Sequence, residues 1–317
     1  MNTLIGNTPF VKINYEYKNK IRSIYTKLEY YNFTGSIKDR MVEYILKKNK
    51  ENGSIKDDDL LIEATSGNTG ISLAAIGAKM GHKVHIFIPD FVSKERIDLL
   101  KLYGAEVTLV SKEEGGYETC IKKADELQKE KGGYRLDQFK RLENVTAHYN
   151  GTASEIVLKL ENINGFVTGI GTGGTLMGCA LKFRETNKNI KIAVIEPSTM
   201  KVLNEKVIGD HKIEGISDGF IPSIVDTDII DEVIIIDEED AINLSRKLSK
   251  KLGLGVGISS GANMLGAIHL EEKTNGNVVT IFADDSKKYL STELSKEIDE
   301  NKNFISNQIR LISFEVL

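Results

Sequence analysis

The chain has 317 residues, of which 40% are hydrophobic and 28% charged, with a formal charge of −4. That is an ordinary globular composition, long enough for about two domains with cores of their own. The slightly acidic balance argues against a nucleic-acid surface. Cys120 and Cys179 form no CxxC or Cys/His cluster, and His82, His85, His148, His211 and His269 share no ligand spacing. Neither a disulfide framework nor a metal site is expected, and the expected setting is cytoplasmic. MNTLIGNTPF lacks the basic region and long apolar run of a signal peptide.

In chain order, a helix is expected from about Lys38 to Lys50, running into the solvated stretch KKNKENGSIKDDD (47–59). LLIEATS (60–66) reads as a buried strand, and NTGISLAAIGAKMG (68–81) as a helix with a glycine C-cap. HKVHIFIPD (82–90) is a strand, SKERIDLLKLYG (93–104) a helix with a serine N-cap, AEVTLV (105–110) a strand and YETCIKKADELQKEKG (117–132) a helix. The pattern then repeats. GFVTGIG (165–171), KIAVIEP (191–197), VIIID (233–237) and VVTIFAD (278–284) read as strands. GTLMGCALKFRETN (174–187) and EEDAINLSRKLSKKLG (238–253) read as helices. The charge-poor run FVTGIGTGGTLMGCALKF (166–183) carries too many glycines and turn residues for a membrane helix. The tail ends in IRLISFEVL, an added strand or interface segment. Alternating strands and helices predict an α/β fold of two units with mostly parallel sheets and a cleft between them.

Three glycine-bearing segments are expected as strand-to-helix loops, where open α/β sheets bind ligands: TSGNTG (65–70), GIGTGGT (169–175) and GISSGAN (257–263). Backbone amides at such helix starts hold anions. GTGGT (171–175) offers glycine amides and two threonine hydroxyls for a phosphate, but it is neither a dinucleotide fingerprint nor a P-loop. Its plain alternative is a tight turn. TSGNTG suits a carboxylate, and its plain alternative is an ordinary helix cap. Lysines are ordinarily solvated. Lys38, in FTGSIKDRM (33–41), follows a Gly-Ser turn in a chain with a phosphate cradle and a carboxylate cradle. It is a candidate to form a Schiff base with an aldehyde cofactor.

LIGNTPFV (4–11), KLEYYNFTGSIKDR (27–40), EATSGNTG (63–70), LDQF (136–139), GIGTGGT (169–175), IEP (195–197), GFIPSIVD (219–226), GISSGA (257–262) and KYLST (288–292) occur in one order along the chain. Together they resemble the cysteine synthase and cystathionine β-synthase family of pyridoxal-phosphate enzymes, across nearly the whole sequence. The resemblance implies fold type II, the tryptophan synthase β-like pair of three-layer α/β domains. A smaller mobile domain would span 37–145, and residues 1–36 with 146–317 would form the larger, cofactor-binding one. It implies pyridoxal 5'-phosphate as cofactor, a small amino acid as substrate, no nucleic-acid or membrane partner, and a homodimer. Lys38 would be the Schiff-base lysine and the acid/base at Cα. Gly171, Thr172, Gly173, Gly174 and Thr175 would hold the phosphate, Asn68 the ring hydroxyl, and Ser259 the pyridine nitrogen. Thr65, Ser66, Gly67 and Thr69, helped by Gln138, would cradle the substrate carboxylate. A hydroxyl at Ser259 stabilises a pyridinium less than an aspartate would. That favours β-elimination to an α-aminoacrylate and then β-replacement, over transamination.

Three segments depart from the family's usual pattern. Asn32-Phe33 stands where Asn-Pro is usual, and ADDSKKYLST (283–292) replaces PDSGERYLST, losing a Gly and an Arg. GISDGF (215–220) stands where sulfide-using members carry GIGAGF, which puts Asp218 near the substrate's Cβ. Hydrosulfide is largely anionic near neutral pH and needs no base, and a carboxylate would repel it. Water, with a pKa of about 15.7, needs a positioned base. The expected reaction is therefore L-cysteine plus water to L-serine and hydrogen sulfide, with Asp218 activating water. The alternatives are cysteine synthesis from O-acetylserine and sulfide, cystathionine formation with a thiol acceptor, a non-catalytic homologue, or a surface-turn role for Asp218 alone. Cys120 and Cys179 are expected in the core, and His148 in a structural segment.

Overall fold

The computed structural model describes residues 4–297 and 303–317. The chain opens with a hairpin, β1 (Phe10–Tyr17) and β2 (Lys20–Leu28), followed by α1 (Lys38–Glu51). The hairpin was not expected, although β1 carries a period-two burial pattern with Ile13, Tyr15 and Tyr17 facing inward.

A first α/β unit follows: β3 (Leu61–Ala64), α2 (Asn68–Met80), β4 (Val84–Pro89), α3 (Lys94–Leu102), β5 (Glu106–Val110), α4 (Gly116–Lys131) and β6 (Tyr134–Arg135). Its four strands lie in the order β5-β4-β3-β6, all parallel. Every residue of β3 and β4 is buried, as expected of strands covered by helices on both faces. Then come α5 (Leu142–His148), α6 (Ser154–Val157), β7 (Ile163–Gly169), α7 (Gly174–Thr186), β8 (Lys191–Pro197), β9 (Glu232–Ile236), α8 (Glu238–Leu252), α9 (Ile258–Thr274), β10 (Asn277–Phe282), α10 (Ile305–Gln308) and β11 (Arg310–Val316). They build a seven-stranded sheet of order β11-β1-β2-β10-β7-β8-β9. The sheet is parallel from β2 to β9 and antiparallel at its β11-β1-β2 edge. The chain is thus two α/β units with mostly parallel sheets.

Two local expectations need correction. GISSGAN is not a strand-to-helix loop: residues 258–263 are the first turns of α9, and the preceding regular element is α8. A Cβ on Gly261 would lie 2.1 Å from the Ala241 carbonyl oxygen, so this glycine permits the close α8–α9 contact. Ser93 stands at the N-cap position of α3, but its hydroxyl makes no cap; it donates to the Lys288 carbonyl at 2.7 Å.

The site is framed by helix starts. Lys38, Asn68 and Gly174 are the first residues of α1, α2 and α7, and Ser259 is the second of α9. The loops preceding α2 and α7 leave the carboxyl ends of β3 and β7, the usual ligand side of a parallel sheet. Ion pairs tie α1 to the large sheet. Arg40 of α1 bonds Glu29 and Glu155, and Glu155 also pairs with Lys27 of β2 at 2.7 Å.

Candidate active site

Two adjoining hollows, of about 370 and 550 Å³, share Lys38, Asn68, Gly171, Thr172 and Gly215 in their walls. The first is bounded by Thr65, Ser66, Thr69, Gln138 and Asp218. The second is bounded by Gly173, Thr175, Ser259 and Asn263. Thr65, Ser66, Thr69 and Gln138, expected around a substrate, line only the first hollow, and Gly173, Thr175 and Ser259, expected around a cofactor, only the second, while Lys38, Asn68, Gly171 and Thr172 face both. Gly67 and Gly174 shape the loops without lining either hollow.

Lys38 is half-buried, and its ammonium makes no hydrogen bond or 4 Å ion pair with any described residue. Burial pushes its pKa below the ordinary lysine value, while the Asp218 and Asp284 carboxylates partly restore it. A lysine held this way is easier to deprotonate and readier to act as a nucleophile.

The cofactor-side residues fit an anionic aromatic aldehyde. At the start of α7 the Thr175 and Leu176 amides donate to no acceptor among the described residues, which leaves an anion site at the positive end of a helix of 13 residues. Asn144 Nδ2 holds the Thr172 hydroxyl at 2.9 Å and the Gln138 carbonyl at 3.0 Å. The glycines of GTGGT serve protein packing: a Cβ on Gly171 would lie 2.4 Å from the Gly215 carbonyl oxygen, and one on Gly174 would lie 1.9 Å from Asn144 Oδ1. Asn68 donates Nδ2 to Asp284 at 2.8 Å, and its Oδ1 is buried without a partner among the described residues. Ser259 is buried, and its hydroxyl forms no hydrogen bond with a described residue. Unpaired polar groups of this kind are what a bound cofactor would satisfy.

On the substrate side, the first amides of α2, at Asn68 and Thr69, have no acceptor among the described residues. No side-chain cap is present either, so the plain cap alternative for TSGNTG is not what the structure contains. The Thr65 hydroxyl accepts from the Gly67 amide at 3.0 Å, and the Thr69 hydroxyl donates to Gln138 Oε1 at 2.6 Å. Gln138 in turn bonds the Ala64 carbonyl at 3.2 Å, so it fixes the loop from behind.

Asp218 is half-buried in the wall of this hollow, and its carboxylate accepts no hydrogen bond from a described residue. Burial pushes its pKa above the ordinary carboxylate range, with Lys38 and His211 pulling it back. Its loop is held by two backbone contacts: the Ser217 amide to the Ile170 carbonyl at 2.6 Å, and His211 Nε2 to the Ser217 carbonyl at 3.0 Å. Phe220, two residues on, packs edge-to-face on Phe139 with ring centroids 4.9 Å apart.

Several residues escaped the sequence reading. Buried Arg96 of α3 meets Glu214 at 2.6 Å and Asp284 at 3.7 Å, and lies 4.4 Å over the Tyr289 ring. An arginine within an amphipathic helix gives no local sign of such burial. Asn144 gave no signal either, whereas Asn263 lay within the quoted GISSGAN and holds the Gly169 amide at 2.9 Å. His148 is buried between Thr152 at 3.0 Å and Thr175 at 3.3 Å, with its pKa held well down by burial. It braces the start of α7 from within the fold.

Comparison with known proteins agrees with this geometry. The family described as "Pyridoxal-phosphate dependent enzyme" matches residues 1–284. The chain is 39% identical over 295 residues to a Staphylococcus aureus protein named cysteine synthase, covering 92% of this chain and 95% of that one. It is 41% identical over 298 residues to a Bacillus subtilis protein named probable cysteine synthase, covering 92% and 96%. A crystal structure of a hydrogen sulfide-producing enzyme from Fusobacterium nucleatum superposes with a TM-score of 0.94 at 45% identity, covering 99% of this chain and 97% of that one. An aspartate-to-asparagine variant of that enzyme, complexed with an α-aminoacrylate intermediate, superposes with a TM-score of 0.95 at 46% identity, covering 98% and 95%. With a helix-start anion site, an unpaired lysine and this extent of similarity, the chain belongs to the pyridoxal-phosphate-dependent enzymes of the cysteine synthase type.

Proposed function

We propose that the chain converts L-cysteine and water into L-serine and hydrogen sulfide, by β-elimination to an α-aminoacrylate followed by addition at Cβ. Pyridoxal phosphate, when bound, supplies the electron sink for loss of the Cα proton and the Cβ substituent. The protein residues do the rest. Thr175 and the amides at the start of α7 would hold the cofactor's phosphate, Asn68 its ring hydroxyl and Ser259 its ring nitrogen. The Asn68 and Thr69 amides, with Ser66, orient the substrate carboxylate. Lys38 Nζ removes the proton from Cα and later returns it. Asp218 takes a proton from water as the oxygen adds to Cβ.

One observation carries the choice of acceptor. The Asp218 carboxylate stands in the same hollow as Lys38 and the carboxylate cradle, and accepts no hydrogen bond from a described residue. It is thus free to accept one from a water molecule. The similar enzyme captured with an α-aminoacrylate as an Asp-to-Asn variant supports the reading, since losing a base for the second half-reaction would leave that species. A second reading is cysteine synthesis from O-acetylserine and sulfide, favoured by the names of the curated relatives. A thiol acceptor giving cystathionine is a third. The enzyme is further taken to be a cytoplasmic homodimer in which residues 37–145 close over the cleft. Among the described residues no helix is long and apolar enough to cross a membrane.

The test is to incubate purified protein with L-cysteine alone and quantify sulfide, serine and pyruvate together. Sulfide with equimolar serine is the expected result. Sulfide with pyruvate would mean that no acceptor is activated. Little sulfide from protein that consumes O-acetylserine and sulfide would return the chain to cysteine synthesis.

A further inference from the structure

Two of the departures noted in the sequence, Phe33 and the segment 283–292, lie 250 residues apart and meet in space at the loop that carries Lys38. Asn32 to Gly35 form a turn closed by the Gly35 amide on the Asn32 carbonyl at 2.9 Å. Asn32 is extended, with φ −66° and ψ 169°, which is the kind of backbone a residue before proline adopts. Phe33 is 39% exposed, and its N–H donates to no described acceptor. The backbone thus keeps a proline-shaped site without the ring that would stiffen it.

Other contacts hold this loop. The Lys288 side chain is buried, with the residue only 2% exposed, and its ammonium donates to the Gly35 carbonyl at 2.9 Å. The Lys288 carbonyl accepts from the Ser93 hydroxyl at 2.7 Å and from Arg96 at 3.3 Å, so the residue is itself anchored to α3. Gly35 has φ +78°, and a Cβ there would lie 2.9 Å from Asp285 Oδ2 and 3.6 Å from Lys288 Nζ. Burial pushes the Lys288 pKa below the ordinary lysine value; the Asp284, Asp285 and Asp39 charges oppose this and the Arg96 guanidinium adds to it, with no described carboxylate within 4 Å of the ammonium. On the other side of Gly35, Thr34 is tied to Asp39 by its amide at 2.6 Å and its hydroxyl at 2.5 Å, and the Ile37 amide bonds the Ala283 carbonyl at 2.9 Å.

We propose that Lys288 is a positioning residue for Lys38: its ammonium clamps the Gly35 carbonyl and supplies by side-chain contact the stiffness that a proline at position 33 would supply covalently. The proposal rests on Lys38 being the cofactor lysine. Uncharged Lys288→Met leaves the Gly35 carbonyl without its donor, so the loop samples states in which Lys38 is misaligned with the substrate Cα. Substrate still binds through the α2 amides, which Lys288 does not touch.

The experiment uses cofactor-loaded protein with L-cysteine. It measures kcat and KM separately, the visible absorption of the bound cofactor, and its rate of reduction by borohydride. Lys288→Met is expected to lower kcat by about tenfold or more with KM within about twofold, and to alter both spectroscopic readouts. Lys288→Arg, which keeps the donor, is expected to retain them. Adding Phe33→Pro to Lys288→Met is expected to recover most of the lost kcat and the original spectrum. The proposal is overturned if Lys288→Met only melts earlier while kcat and spectrum stay wild-type, or if the added proline restores nothing. Should Lys288→Met not fold, Lys288→Ala with and without Phe33→Pro is read the same way, because it also removes the donor to Gly35, and an unchanged kcat and spectrum there overturns the proposal too. Lys38→Ala tests the underlying assignment separately, because it removes the reducible band whatever Lys288 does.

Discussion

Asp218→Asn is the sharpest perturbation of the proposed mechanism. The replacement is isosteric, so it leaves the hollow bounded by Lys38, Thr65, Ser66, Thr69 and Gln138 intact and removes only the charge and the basicity. General-base assistance is worth roughly 10²–10⁴ in rate, or about 3–5 kcal/mol of barrier at about 1.4 kcal/mol per tenfold. The first half-reaction does not use this base. The variant is therefore expected to release one equivalent of sulfide per site rapidly, then to make serine about 10²-fold or more slowly. Stopped-flow sulfide release and steady-state serine formation read the two halves apart. The pH dependence gives a second check. Burial raises the Asp218 pKa above the ordinary carboxylate value, and the base works only when ionised. Wild-type serine formation should be present above that raised value and fall as pH drops through it, and the variant should lose this limb. Wild-type serine turnover with an unchanged acid limb in Asp218→Asn would refute the reasoning. So would loss of the sulfide burst itself, which would assign Asp218 to the elimination step.

Other outcomes follow from the same geometry. Gly67 has φ +153°, and a Cβ there would lie 2.3 Å from Arg96 Cδ, so Gly67→Ala should raise KM for L-cysteine by about tenfold and cost about 1–3 kcal/mol by denaturant titration. Burial pushes the Glu155 carboxyl up, but Arg40 and Lys27 more than reverse this and leave it at about 2, against an ordinary 4.5. That depressed value contributes about 3 kcal/mol of stability above about pH 4.5, lost as pH falls toward 2. Glu155→Gln should therefore be less stable at pH 7 by roughly that amount, and its stability should converge on wild type as the pH is lowered through this window. Burial pushes the Cys120 thiol up to about 12 and raises Cys179 as well, so iodoacetamide at pH 8 should modify neither cysteine in native protein and both after unfolding.

The local alternation of buried strands and amphipathic helices was readable because each signal is carried by neighbouring residues. β3 and β4 are short, mainly apolar runs interrupted only by Glu63 and His85, and α2 ends where Gly81 takes a left-handed conformation, at φ 83°. GISSGAN was misread for the opposite reason. Small residues allow either a loop or a tight helix contact, and only the partner, here α8, decides which. Ser93 was misread likewise, because its hydroxyl chose the Lys288 carbonyl, distant in sequence, over a local cap.

By itself the sequence determined the α/β class, the alternation of the main strands and helices from β3 onward, and the residue types available for cofactor chemistry, since these depend on periodicity and on short segments. Tertiary structure alone decided which polar groups are left unpaired. Lys38 and Asp218 matter because no described residue bonds their charged groups, and Arg96, Asn144 and Lys288 because each is buried among partners from other elements. Burial, desolvation and pairing are properties of where distant segments meet, and no local spacing encodes them.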